Sequence, residues 1–403
     1  MGLLRIFDLI TIVLIIATLV ISVTSEEKPE KYIVALKPLS SIASSGESHY
    51  EWLSKQIKKL NINSISPLNA KVKAFTEGGV LDGYTAWLPK SFAENDLNSR
   101  SEVKYVELDA KVSINYAVPR TVQKKPNPNL DRLDQKAFPL NNKFAFPESA
   151  GLGVDIYVID TGILVTHKEF ENRARFGAAL CEGCPDTDDN GHGSHVSGIA
   201  AGKTFGVAKR ANLIGVKVLD AAGSGANSDV IDGMNFVLED RKKSKNATIV
   251  NMSLGGIFSQ AVNDATKKLT DNGVHVVVAA GNEAADACGD SPSSELTAVT
   301  VGATEENDDN IAFFSNIGKC VDIFAPGSNI LSVGIESDTS TAIFSGTSQA
   351  SPHVAGTLAL MIAKDGYKSP AELTKDLLDL STKNVVKGLD GDTSNNFLRV
   401  PAP

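Results

Sequence analysis

The stretch FSGTSQASPH, residues 344–353, sets four hydroxyl side chains, Ser345, Thr347, Ser348 and Ser351, just before the apolar run VAGTLALMIA. Hydroxyls in that position ordinarily cap a helix by accepting N–H bonds of its first turn. A second use is open to them. A serine becomes a nucleophile where a histidine takes its proton and a carboxylate orients the histidine and stabilises its positive form. Among the six histidines, His192 is set apart: DDNGHGSHVSG holds it between two glycines at the start of a small-residue segment, where a partner can approach closely. Asp160 closes the apolar run VDIYVIDTG, and Asn282 follows VVVAA in VVVAAGNEA. An amide at Asn282 can donate to a developing oxyanion. Each residue also has an ordinary reading, as a turn-capping Asp or a turn-forming Asn. The pair His192 and His195 has the i, i+3 spacing of metal ligands, but the Glu of HExxH and a third ligand pattern are absent. His49, His167 and His275 read as structural or surface residues.

These residues need elements that bring them together. From Gly151 onward, near-continuous apolar strands (VDIYVID, LIGVKVL, TIVNMS, VHVVVAA, TAVTVGA) alternate with helical stretches such as 226–243 and 259–272. That pattern indicates an α/β fold with a parallel sheet covered on both faces, where sites lie beyond the carboxyl ends of the strands. Asp160 and Asn282 both stand at such ends. The order Asp, His, Ser differs from that of α/β-hydrolases, and GTSQA lacks the second glycine of GxSxG.

Ahead of this unit, residues 31–109 read as strand, helix, strand, strand, helix, strand, the order of a small ferredoxin-like α+β unit. A Pro- and Lys/Arg-containing linker follows from residue 115 to about 129, open to proteolysis. Residues 1–25 read as a secretory signal peptide, with Arg5, an apolar run over 9–21 and Val23-Thr24-Ser25 before Glu26. The run is shorter than the ~20 residues that span a bilayer, so no stable membrane anchor is expected. Residues 26–116 and the signal are each charge-balanced, so the net charge of −9 lies in the remainder, which argues against nucleic acid as a partner.

Together VIDTG, NGHGSHVSGIAAG, NMSLGG, VVVAAGN and FSGTSQASPHVAG resemble a subtilisin-like serine protease, in detail the proteinase K and cerevisin branch, over roughly residues 129–400. The ferredoxin-like segment resembles that family's inhibitory propeptide. The resemblance implies a subtilisin-like three-layer fold and a self-processing zymogen with signal 1–25, propeptide 26–116 and peptidase domain 117–403, cut after about Asn115 or Tyr116. It implies Ser348 as nucleophile, His192 as general base and acid, Asp160 as orienting carboxylate and Asn282 as oxyanion donor. Ser253-Leu254-Gly255 and Gly223-Ser224-Gly225 would be edges that pair with an extended substrate. Small residues at Gly255 and 279–281 imply an open pocket for a large apolar or aromatic side chain before the cut, with broad tolerance elsewhere.

The chemistry would need no cofactor. Asp322, with the carbonyls of Leu296 and Ala298, resembles a structural calcium site of that branch, and Cys288 with Cys320 a bridge found in some relatives, one contributing roughly 3–4 kcal/mol by loop entropy. Cys181 and Cys184 have no counterpart in the family, and a local bridge between them is left open. Gln349 stands where a methionine commonly follows the nucleophile, Val196 where many relatives carry a cysteine, and Asn227 where a tyrosine often rims an outer pocket. Asn246-Ala-Thr reads as an exposed glycosylation sequon. The expected product is a monomer acting on proteins and peptides, with its own propeptide as intramolecular inhibitor. It is expected to be secreted, with the vacuole as the alternative destination.

Overall fold

The computed structural model describes residues 29–37, 48–59, 72–75, 80–114 and 128–402; the expected signal peptide and the expected cut after Asn115 or Tyr116 lie outside them. The N-terminal unit runs β1 (Glu30–Leu36), α1 (His49–Lys59), β2 (Lys73–Ala74), β3 (Gly83–Leu88), a π-helix (Phe92–Leu97) and β4 (Val103–Leu108). Its strands lie in the order β2-β3-β1-β4, every neighbour antiparallel. Successive side chains of β1 point to opposite faces. Tyr32 and Val34 join Leu53, Tyr84 and Leu88 in the unit's own core. Ile33 and Ala35 join Val230, Met234 and Val262 of the larger unit instead. Each large apolar side chain so covered contributes about 1.5–3 kcal/mol, so the small unit is held to the large one by the same effect that holds each together.

In the larger unit the strands β6 (Val154–Asp160), β7 (Ala174–Ala179), β8 (Asn212–Lys217), β10 (Ala247–Met252), β12 (His275–Ala279), β14 (Val299–Thr304) and β15 (Ile323–Pro326) are parallel, in the order β15-β14-β12-β10-β6-β8-β7. Strands β6, β12 and β14 are buried along their whole length, as their unbroken apolar runs require. Ile156 and Val158 of β6 face one core, with Val196 of α3 (His192–Ala201) and Val354 of α6 (Thr347–Asp365). Tyr157 and Ile159 face the other, with Val230 of α4 (Asn227–Asp240) and Val262 of α5 (Gln260–Asp271). The result is three layers. From β6 the chain builds outward to β8 and β7 on one side and then to β10, β12 and β14 on the other, so the carboxyl ends of β6 and β10 flank a switch point where a crevice opens.

Candidate active site

Asp160 ends β6 at that crevice, and the structure brings His192 to it. Asp160 Oδ1 accepts the Nδ1 proton of His192 at 2.8 Å and the Thr161 N–H at 2.7 Å, with both side chains buried. The two glycines around His192 allow the approach. Gly191 adopts φ 105°, in the left-handed region, and a Cβ on Gly193 would lie 2.2 Å from the Gly162 carbonyl oxygen. A larger residue at Gly193 would push α3 away from the end of β6. With its proton on Nδ1, the imidazole carries a lone pair on Nε2, the form a general base needs.

One residue that sequence reasoning passed over organises this corner. Buried Asp188 accepts the N–H groups of Gly191 and Ser194 at 2.8 Å each, the Ser194 hydroxyl at 2.6 Å and the Thr161 hydroxyl at 2.8 Å. Burial alone would raise its pKa, but these donors outweigh it and hold the carboxylate below its ordinary value. Asp188 therefore ties the strand end bearing Asp160 to the helix start bearing His192. Its signal was present in DDNGHG, where an acidic residue stands just ahead of a helix start. Lys217, also buried, donates to the Thr161 carbonyl at 2.7 Å and to Asp189 at 2.6 Å from the neighbouring strand.

Ser348 is the second residue of α6. Its hydroxyl donates to the Ser253 carbonyl at 3.0 Å, and the Ser253 hydroxyl returns a bond to the Ser348 carbonyl at 2.8 Å, so the start of α6 is tied to the chain just beyond β10. Asn282, just past β12, accepts the Thr347 N–H at 2.8 Å and the Thr347 hydroxyl at 3.0 Å on Oδ1. That assigns the amide's orientation. Its Nδ2 donor is buried and without a partner among the described residues. A buried, unused donor beside a helix N-terminus is suited to receive negative charge.

The two expected edges pair with the tail of the N-terminal unit. A second sheet has the order β13-β11-β5-β9, with β13 (Asp290–Ser291), β11 (Leu254–Ile257), β5 (Lys111–Ile114) and β9 (Ser224–Ala226). Strand β5, the tail of the N-terminal unit, pairs antiparallel with both neighbours: Ser113 opposite Gly255 and Ser224, Ile114 opposite Leu254, Val112 opposite Gly225. Gly223 forms the turn before β9 with φ 73°. Ser253 follows next to Leu254, adjoining Ser348. The tail thus leads along the cleft to the hydroxyl.

Two carboxylates just ahead of β5, also unremarked in the sequence, seat the small unit on the large one. Asp109 accepts the Ser228 N–H at 3.0 Å and its hydroxyl at 2.7 Å in the first turn of α4, and pairs with Lys31 at 2.8 Å. Glu107 accepts the Ala261 N–H at 3.2 Å and the Ser259 hydroxyl at the start of α5. Both meet the positive end of a helix. Lys73 with Asp232 and Lys104 with Asp264 add ion pairs around them.

Elsewhere, Cys288 is joined to Cys320 and Cys181 to Cys184, leaving no free cysteine. Half-buried Asp322 accepts the Thr300 N–H at 2.8 Å, and burial raises its pKa to about 6. No group of three or more acidic, His or Cys side chains that could hold a metal ion occurs among the described residues. The expectation for Asn246 needs correction: it is half-buried rather than exposed, and its amide nitrogen, the atom that would carry a glycan, donates to Asp155 at 2.8 Å.

Compared with known proteins, residues 151–396 match a family model described as "Subtilase family" and residues 31–115 one described as "Peptidase inhibitor I9". The chain is 42% identical over 374 residues to the subtilase-type proteinase psp3 of Schizosaccharomyces pombe, covering 90% of this chain and 81% of that protein. It is 39% identical over 409 residues to the subtilisin-like serine protease Pen ch 18 of Penicillium rubens, covering 94% and 82%. A solved structure of a cold adapted subtilisin-like serine proteinase matches with a TM-score of 0.64 and 40% identity, over 68% of this chain and 98% of that one.

Proposed function

The chain belongs to the subtilase family of serine proteases and carries an I9-type inhibitor segment ahead of its protease domain, and from that premise we propose that it is a self-processing zymogen whose hydrolytic group is Ser348. In this reading His192 takes the Ser348 proton as the hydroxyl attacks a peptide carbonyl. Asp160 holds the imidazole and its positive form, and Asn282 Nδ2 with the N–H groups at the start of α6 receives the oxyanion. His192 then protonates the leaving amine, and water resolves the acyl-enzyme by the same path in reverse. No cofactor enters these steps.

The observation that carries the reading is strand β5, seated between β11 and β9 as an extended peptide would be. Strand β5 ends at Ile114, opposite Leu254 and next to Ser253, whose carbonyl holds the Ser348 hydroxyl, so in this reading the first bond cut is that of the chain itself, after Asn115 or one residue on. The released unit keeps its place as an inhibitor through β5 and the two helix caps. Backbone pairing along β9 and β11 favours broad sequence tolerance in protein substrates. The relatives, the family resemblance to the proteinase K branch and the apolar leader support export to the cell exterior, with the vacuole as the alternative. Expression of wild type beside Ser348→Ala tests the scheme: wild type should shorten by the propeptide and hydrolyse casein, and the variant should do neither. Equal masses and equal activities would end it.

A structural calcium at Asp322 fits the donor chemistry in one respect, a half-buried carboxylate whose described bonds leave an oxygen for a cation, with the carbonyls of Leu296 and Ala298 to join it in this reading. Added calcium should raise the melting temperature of the wild type and not that of Asp322→Ala; equal shifts would remove the site.

A further inference from the structure

One wholly buried charge beside Asp160 has no part in the steps above. Lys217 closes β8, paired in register with Asp160 of the neighbouring β6, and its side chain has no access to solvent. A buried ammonium is costly unless carboxylates and hydrogen bonds meet it, so an apolar residue there would serve packing better. Its Nζ donates to the Thr161 carbonyl at 2.7 Å and to Asp189 Oδ1 at 2.6 Å. Thr161 is engaged at every polar atom. Its N–H donates to Asp160 Oδ1 at 2.7 Å, and its hydroxyl donates to Asp188 Oδ1 at 2.8 Å while accepting the Gly193 N–H at 2.9 Å. A single residue therefore links the ammonium to the carboxylate that orients His192. Three carboxylates meet in this corner, and they are compensated differently. Asp188 receives N–H groups and hydroxyls on both oxygens. Asp160 holds the Thr161 N–H and His192 on Oδ1 alone, and its Oδ2 is buried and without a hydrogen-bond partner among the described residues. Among the described residues Lys217 is the one Lys or Arg in an ion pair with any of the three, through partly exposed Asp189. Of the other titratable groups packed on α3, His195 of that helix and His353 of α6 are kept uncharged near neutral pH by burial. Strand β16 (Ile330–Val333) brings none, and Glu169 meets only the chain beyond the far end of α3, at the Thr204 N–H.

We propose that Lys217 is a positioning residue for His192: its ammonium holds the end of β6 through Thr161 and offsets the carboxylates of this corner, so that His192 works as an uncharged base at neutral pH. The inference rests on the serine protease reading and adds to it a charge that never touches the substrate. With no cation present, Asp160, Asp188 and Asp189 together favour the imidazolium, and an imidazolium cannot take the Ser348 proton. The ammonium weakens that pull in the resting enzyme. Asp160 keeps its direct bond to Nδ1, so it still stabilises the positive charge at the moment it forms. Asp189, on the far side of the ammonium from Thr161, attenuates the cation and sets the strength of the offset.

The test is the pH profile of kcat/KM on one peptide anilide for the self-processed wild type, Lys217→Met, which keeps the apolar stem and removes the charge, and Asp189→Asn, which removes the attenuating anion. In Lys217→Met the acid limb should move to higher pH by about one pH unit, the lower end of what a charge in direct contact produces, because Thr161 stands between. Asp189→Asn should move the limb the other way, to lower pH, and it serves alone if Lys217→Met does not process. Added salt should leave the Lys217→Met displacement in place, since a buried charge is little screened. Lower activity on the alkaline plateau with an unmoved acid limb is the mark of a packing role alone and would overturn the proposal. Limbs displaced in the same direction by both variants would overturn it as well, while leaving a Ser348-dependent protease. Absence of any wild-type turnover above the Ser348→Ala background would overturn the protease reading itself.

Discussion

At Gln349, next to Ser348, both side-chain polar atoms are buried and without a partner among the described residues, in a residue that is wholly inaccessible to solvent. Leaving a buried polar group unsatisfied costs about 1–3 kcal/mol. Gln349→Met should therefore stabilise the Ser348→Ala chain by about that amount, read as a shift in its urea midpoint. In the active enzyme the same change should introduce loss of activity in dilute peroxide, which wild type withstands, because a thioether beside Ser348 oxidises to a polar sulfoxide. A variant that is no more stable, or a wild type that loses activity as fast, would contradict this account. The glycines around His192 were legible in the sequence, since a histidine between glycines implies close approach. The position of Asp188 ahead of a helix start was also legible, but its role was not, because its partners come from a strand end and a helix start that only folding makes adjacent.

At the scale of elements, the two helix starts that receive Glu107 and Asp109 explain how a small unit can block a large one. Capping contacts of this kind are worth about 1–2 kcal/mol each. In the Ser348→Ala chain, Glu107→Ala and Asp109→Ala should each release the N-terminal unit more readily, visible as faster proteolytic loss of residues 30–114 and a lower first melting step; resistance equal to that of the parent would show that the apolar face of β1 suffices. Strand positions and the ferredoxin-like order could be read from period-2 patterns, and the second helix of that unit came out as a single π-helical turn, Phe92–Leu97, with Phe92 and Leu97 still buried. Strand β5 could not be read as such. Lys111-Val-Ser-Ile114 carries no strong strand signal, and its partners lie over a hundred residues away, at β9 and β11.

For the whole molecule, three buried histidines set the acid limit. Burial lowers the pKa of His195 to about 3, with the charge of His192 adding to it, and burial lowers those of His275 and His353 to about 4. Because the unfolded chain binds these protons near pH 6.5 and the folded chain does not, stability is greatest above 6.5 and is lost as pH falls towards 4, by about 1.4 kcal/mol per pH unit for each histidine. His275→Phe should flatten that slope by one such step, measured as unfolding free energy of the Ser348→Ala chain between pH 6.5 and 4.5; an unchanged slope would remove His275 from the account. The order of Asp160, His192, Asn282 and Ser348, the glycine-flanked motifs and the buried parallel strands were determined by the sequence itself, since local spacing and apolar periodicity act within a few residues. The juxtapositions were decided only by the tertiary structure: Asp160 on His192, Asn282 on Thr347, and β5 between β9 and β11. Each depends on chain segments far apart in sequence meeting at the carboxyl edge of one sheet, and the packing of both faces of that sheet, not any local pattern, sets which residues arrive there together.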